Sequence, residues 1–490
     1  MKRALPIAAI LLLVSMPLAA KVAQDEADRL KTTLTPMGGE RAGNKDGSIP
    51  EWTGGFTTSP PCYKGIGTRY CDPFPEDKPQ FTITAQNYKQ YADKLGDGQK
   101  AMFEKFPTSY KMPVFQTRRT AAYPDFVAEA TYKNALEAEL GGGGEALVNA
   151  IVGVPFPIPK TGVEPVWNHK VRYRGQSGRR WNNQAAVTSS GDFNLVTLRE
   201  DVFFPYAQKD ATPDSLDNVI IYFLQIVTQP PRLAGTITLV HETMDQVKEP
   251  RRAWQYNPGQ RRLRRAPNVA YDNPGTGADG LRTNDQTDTF NGAMDRYDWK
   301  LVGKQELFVP ANSYRLHSDA LRYGDIVRKN HINADLTRYE LRRVWVVDAV
   351  LRAGTSHQYK RRRFYVDEDG WQIRVVDIYD VRDQQFDLLR ELRALGWCPR
   401  SGSVTAWPMA ARSWASCADP DASSAMPVLR AAITSEWSPK IDSPCAASVR
   451  RMSRSTVSGT CDTRSPRRRR GRSPAAGWRA RRAALLRRGA

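Results

Sequence analysis

Between about Val166 and Asp380 the chain is built from short runs that alternate apolar with polar residues, and this period of two restricts the possible folds more than anything else in the sequence. "KVRYRG", "NLVTLRED", "NVIIYFLQIV", "AGTITLVHETM", "RAWQYNPGQRRLRR", "YELRRVWVVDAVL" and "KRRRFYVDEDGWQIRVVDIYD" follow one another as strand candidates. Turn residues separate them rather than helices, so the pattern predicts a meander of antiparallel hairpins. The expected fold class is α+β, mainly antiparallel β, with the strands in a strongly curved sheet or open β-barrel.

Two hairpins say most about the sheet. In "RAWQYNPGQRRLRR" the turn signal Asn257-Pro258-Gly259-Gln260 sets Trp254 opposite Leu263 and Tyr256 opposite Arg261. In the other, Asp367-Glu368-Asp369-Gly370 is the turn, and Trp371, Ile373 and Val375 alternate with Gln372 and Arg374. Such a sheet has one apolar face. By frequency that face packs on a helix as ordinary core; the functional alternative is an apolar cavity for an acyl chain or sterol-like ligand. Arg251, Arg252, Arg261, Arg262, Arg264 and Arg265 crowd one hairpin, and Arg361, Arg362 and Arg363 the other. These charges usually form a solvated face, but beside an apolar cavity they suit an anionic lipid headgroup or membrane surface. Trp254, Tyr256, Arg261 and Leu263 are therefore the candidate ligand-binding residues.

Residues 1–20 read as a secretory signal peptide: Lys2 and Arg3, an apolar run from Ala4 to Val14, then small residues at Ala19 and Ala20. The apolar run is too short to span a bilayer comfortably, and no later stretch approaches the roughly 20 apolar residues of a transmembrane helix. Residues 21–165 form a loop-rich helical N-terminal part. "TAQNYKQYADKLGDGQKAMFEKFP" predicts short amphipathic helices broken near Gly96, and "AEATYKNALEAELGGGG" a helix with a glycine stop. Residues 166–390 are the expected antiparallel half-barrel. From Glu391 to Ala490 there are 19 basic and 6 acidic residues and no Phe, Tyr, Asn, Gln or His. This basic low-complexity segment reads first as the product of a frame shift between Asp380 and Trp397, and second as a disordered tail. Basic charge alone is a weak signal for nucleic acid, and a signal peptide argues against that partner.

Four of the six cysteines lie in that segment. The other two, Cys62 and Cys71, could close a small disulfide loop in an oxidising compartment.

Catalytic and metal signals are weak. In "HETMD", His241 and Glu242 point to opposite faces of a strand, without the helical His-Glu-x-x-His pattern of a zinc protease. Neither a Gly-x-Ser-x-Gly elbow nor a phosphate-binding glycine loop occurs. "GNKDGSIPEW" matches the middle of a calcium loop, but Ala42 and Thr53 stand where its first and last acids belong. A turn held by Asn and Asp side chains is the better reading. No cofactor, no metal and no enzymatic activity are expected.

"LTPMGGERAGNKDGSIPEWTGG", "FPIPKTGVEPVWNHKVRYRG", "VKEPRRAWQYNPGQRRLRRAPNVAYDNPGTGADGLRT" and "FNGAMDRYDWKLVGKQELFVPANSYRLH" resemble the proteobacterial domain-of-unknown-function 1329 family, over roughly Ala23 to Asp380. Its members are exported proteins, often labelled outer membrane lipoprotein-sorting-like. The hairpins are also similar in style to periplasmic lipoprotein carriers, whose half-open barrel holds acyl chains. The resemblance implies a periplasmic carrier or binding protein for a lipid or other hydrophobic ligand, serving the outer membrane. The alternative is a non-catalytic subunit or adaptor of an envelope transporter or outer-membrane assembly.

Overall fold

The expected alternation forms strands everywhere but at its start. The structure, a computed structural model, describes residues 21–380 apart from 65–70, 247, 267–271, 276–277 and 319, with only the backbone at His317. The signal peptide and everything beyond residue 380 lie outside the described residues.

In the N-terminal part, helices α1 (Gln24–Asp28), α2 (Asp97–Lys105) and α3 (Asp125–Glu137) alternate with short strands β1 (Phe81–Ile83), β2 (Met112–Val114), β3 (Glu139–Gly141) and β4 (Ala146–Val148). Gly96 occupies the N-cap of α2, as the predicted break requires. With no side chain of its own there, the cap is supplied from far along the chain: Asp377 accepts from the amides of Asp97 and Gly98, each at 3.0 Å. Helix α3 ends at Ala138, before the glycines, which instead turn the β3–β4 hairpin.

The first candidate, "KVRYRG", is not a strand. Its Lys170 and Val171 close helix α4 (Val163–Val171) and the rest is loop. Its charges are buried by specific partners instead of facing water. Lys170 Nζ donates to the Gly292 carbonyl at 2.9 Å, and Arg172 makes a bidentate pair with Asp288 at 2.9 and 2.7 Å. Alternating charge therefore reported no exposed face.

Beyond α4 come β5 (Ser177–Val187), β6 (Phe193–Phe203), β7 (Val219–Gln229), β8 (Ile237–Thr243), β9 (Arg252–Asn257) and β10 (Arg262–Arg265). They form one six-stranded antiparallel sheet in meander order. After it, β11 (Tyr297–Pro310), α5 (Tyr323–Ile326), β12 (Tyr339–Leu351), β13 (Arg361–Asp367) and β14 (Ile373–Tyr379) complete the described chain. Strands β11 to β14 pair as neighbouring antiparallel strands, and β2 joins β12 in parallel at Val114 and Tyr339 to make a second six-stranded sheet. The fold is mixed α+β and mainly antiparallel, as expected, but its strands divide between two six-stranded sheets and the β3–β4 hairpin, with no closed barrel among the described residues.

In the second sheet the apolar face is ordinary core. Val347, Ala349, Phe364, Val366 and Ile373 cluster with Val166 and Trp167 of α4 and with Trp371, each fully buried large side chain contributing about 1.5–3 kcal/mol. The β13–β14 turn is also a tie-point. Trp371 Nε1 donates to the Met37 carbonyl at 2.8 Å, and Arg119 grips Asp369 through two bonds of 2.9 and 2.5 Å. Cys62 and Cys71 are joined as a disulfide.

Candidate functional site

The first sheet is organised differently from the second. Its registers place residues abreast in three rungs on one face. Phe203, Tyr222, His241 and Arg252 form the first. Asp201, Leu224, Leu239 and Trp254 form the second, ending at Arg265. Trp181, Arg199, Ile226, Ile237, Tyr256 and Leu263 form the third.

Strands β7 and β8 are half-buried along this face, and the third rung is open at both ends, with Trp181 53% and Leu263 37% exposed. Among the described residues, no buried apolar cluster includes Leu224, Ile226, Ile237 or Leu239. On the opposite face a polar rung of Glu200, Gln225 and Thr238, where Glu200 accepts from Arg180, Asn182 and Gln225, lies between apolar ones, Val202, Phe223, Val240 and Ala253 on one side and Leu198 and Val227 on the other. Both faces therefore carry apolar residues; this one has Leu224 and Leu239 followed by Ile226 and Ile237 in unbroken succession on β7 and β8.

An aromatic ladder stiffens the first rung. Ring centroids are 6.4 Å apart for Phe203 and Tyr222 and 4.6 Å for Tyr222 and His241, and Trp254 lies 4.7 Å from His241 on the diagonal. Burial, with Arg252 beside it, lowers the His241 imidazole to about 4, so the ring is neutral at pH 7. Its Nδ1 is sheltered from solvent with no hydrogen-bond partner among the described residues, as is Arg252 Nε. On the second rung Asp201 is shared by Arg179 at 2.6 Å and Arg199 at 3.1 Å.

Of the candidate residues, the sheet brings Trp254, Tyr256 and Leu263 together on this face. The register differs from expectation: Tyr256 stands opposite Leu263, and Trp254 opposite Arg265. The loop runs from Pro258 to Arg261, longer than predicted, so Arg261 is a turn residue with φ 50° and is fully outside the strand face. Sequence reasoning missed Trp181, Leu224, Ile226, Ile237 and Leu239. In "VIIYFLQIV" nearly every position is apolar, so which side chains share this face is fixed only by the pairing of Gln225 with Thr238 and Glu200 across the strands.

The other titratable clusters are buried scaffolding. His169 is fully buried, its Nδ1 accepting from the Ile373 amide at 3.1 Å and its Nε2 meeting the Asp288 carbonyl at 2.8 Å. Burial drives it down to about 3. His357 accepts from the Tyr359 amide and reaches Asp285, which also holds Arg362 at 2.6 Å. Glu242 lies across the strand from His241 and pairs with Arg251 at 2.8 Å. Among the described residues no three His, Cys, Asp or Glu side chains are grouped to hold a metal. In "GNKDGSIPEW", Asn44 accepts from the Ile49 amide and Asp46 from the Ser48 amide. That is the expected Asx-type turn.

Residues 82–391 match the model of a family described as a protein of unknown function, DUF1329. The chain belongs to the DUF1329 family. An uncharacterized Pseudomonas aeruginosa protein, PA3922, is 52% identical over 370 residues, which cover 76% of this DUF1329 chain and 81% of that protein. Two solved structures show fainter likenesses. A DUF1329 family protein from Desulfovibrio piger has 16% identity and a TM-score of 0.28, over 43% of this chain and 70% of its own. A LolA superfamily protein from Nitrosomonas europaea has 12% identity and a TM-score of 0.26, over 46% and 74%. At these scores neither bears on the ligand of this DUF1329 member. Among the described residues, no helix is long and apolar enough to cross a membrane.

Proposed function

We propose that this protein is an exported, periplasmic, non-catalytic carrier or binding protein for a lipid or other hydrophobic ligand, serving the outer membrane. One observation carries the reading: Leu224, Leu239, Ile226 and Ile237 lie side by side and half-buried on one sheet face, outside every apolar cluster of the described interior. Such a face costs free energy in water at about 25 cal/mol per Å² of apolar surface, and patches of this kind mark binding sites. An acyl chain laid across Leu224, Leu239, Ile226 and Ile237 removes that cost. Trp254 and Tyr256 offer rigid flanks at the ligand's side, and Trp181 and Leu263 mark the two ends of the third rung.

The test is equilibrium binding of radiolabelled hexadecanol to the chain from Lys21 onward. Saturable binding is expected, and Leu239→Gln, which sets an amide in the middle of the face, is expected to weaken it about ten-fold or more with little change in the urea midpoint. A full-length chain that binds no hexadecanol removes the carrier reading and leaves the adaptor of an envelope assembly.

A further inference from the structure

We infer that the apolar face takes its ligand in one direction, with a carboxylate head seated between Arg252 and His241 and the hydrocarbon running away over the second and third rungs. This rests on the carrier reading above and adds to it the class of ligand, a long-chain carboxylic acid, and its orientation.

Two nitrogen atoms mark the head site. Arg252 Nε and His241 Nδ1 are both shielded from water and both without a hydrogen-bond partner among the described residues. Leaving one such group unsatisfied is costly, and native structures do so rarely, often where a ligand or ion completes the site. These two stand abreast, Arg252 opposite His241 in the β8–β9 register, with side chains on the same face about 5 Å apart at Cβ. Two adjacent donors match the two oxygens of one carboxylate.

Charge agrees with this placement. Arg252 has a recorded ion pair with Glu249, from Nη1 at 3.1 Å, but Glu249 is 37% exposed. An exposed pair of this kind is weak, and it occupies a different edge of the guanidinium from Nε. A neutral imidazole can present Nδ1–H to an anion, because its other nitrogen then carries no proton. His241 is held in place by ring contacts with Tyr222 and Trp254 on either side.

Direction follows from the rungs. The first holds the two unpartnered nitrogens. Moving along the strands, the same face becomes Leu224, Leu239 and Trp254, then Ile226, Ile237 and Tyr256. Residues two apart on a strand are about 6.6 Å apart, so the polar anchor adjoins the apolar bed on β7 to β9, with Asp201, Arg199 and Arg265 at the bed's edges. The ligand's polarity has a matching gradient.

The experiment compares radiolabelled hexadecanoate with hexadecanol at pH 8, using the full chain from Lys21 and its Arg252→Gln, Arg252→Lys and His241→Phe variants. Hexadecanoate is expected to bind about 10- to 100-fold more tightly than hexadecanol, the range for a hydrogen bond to a charged group. Arg252→Gln should erase that preference while hexadecanol binding stays unchanged, and Arg252→Lys should restore part of it. His241→Phe keeps a ring between Tyr222 and Trp254 and should weaken hexadecanoate alone; it decides the matter if Arg252→Gln does not fold. Equal binding of acid and alcohol by the natural chain, or a preference that survives both Arg252→Gln and His241→Phe, overturns the head site and leaves the carrier reading standing. Binding of neither probe overturns both.

Discussion

Glu145 shows how one buried carboxyl can set a pH dependence. Burial, with Asp295 adding repulsion, raises it to about 7, and its Oε2 accepts from the Met294 amide at 3.0 Å. Its value in the unfolded chain is 4.5. Between the two, the folded state binds more protons than the unfolded one, so stability is fully present below about pH 4.5 and declines as pH rises toward 7. The decline from this residue is roughly 3 kcal/mol at most. Glu145→Gln keeps an acceptor for Met294 and is expected to flatten urea-unfolding stability across pH 4.5 to 7. A slope as steep as that of the natural chain would show that other groups produce it.

At the scale of elements, the β13–β14 hairpin is held by charge as much as by apolar packing. Asp369 takes two bonds from Arg119, and Arg342 approaches it at 3.4 Å. Removing one partner of a buried pair strands the other, so Asp369→Ala should cost about 3–5 kcal/mol, read as a lower urea midpoint. Strand β12 and both hairpins were legible in the sequence, because "YELRRVWVVDAVL" and the Trp254 hairpin combine alternation with clear turn residues. Strand β5 was not legible: "SGRRWNNQAAV" is polar along most of its length, and its charges are satisfied across the sheet by Asp201 and Glu200. Strand β11 was hidden by the irregularity between Leu301 and Gly303. Three residues of the candidate site were readable for the same reason. Tyr256 and Leu263 declare a face because their neighbours are polar, and Trp254 because it stands two residues before Tyr256, whereas Leu224 and Ile226 sit in an apolar run in which Gln225 is the one polar break. The error of register at Trp254 came from one turn residue, Arg261, taken for a strand position; its positive φ is seldom adopted outside glycine, asparagine and aspartate.

For the whole molecule, the family match ends at 391, at the start of the basic low-complexity segment. Resequencing the gene across codons 380 to 400 is expected to reveal another reading frame that continues with alternating aromatic strands. If the present frame stands, the segment from Glu391 is part of the protein, and its binding to anionic vesicles becomes measurable. The described part has its own consequence for how the chain is made. Met37 and Trp371, which share a hydrogen bond, are 334 residues apart. Arg119 likewise finds its carboxylate Asp369, and the amides of Asp97 and Gly98 their acceptor Asp377, in the last hairpin of the described residues. At about 5–20 residues per second of synthesis, Met37 waits roughly 17 to 67 seconds before Trp371 is added. Until then the front of the polypeptide lacks its lock, so a ribosome delivers it in a state that can still be threaded, and the final hairpin acts as the latch that ends that interval.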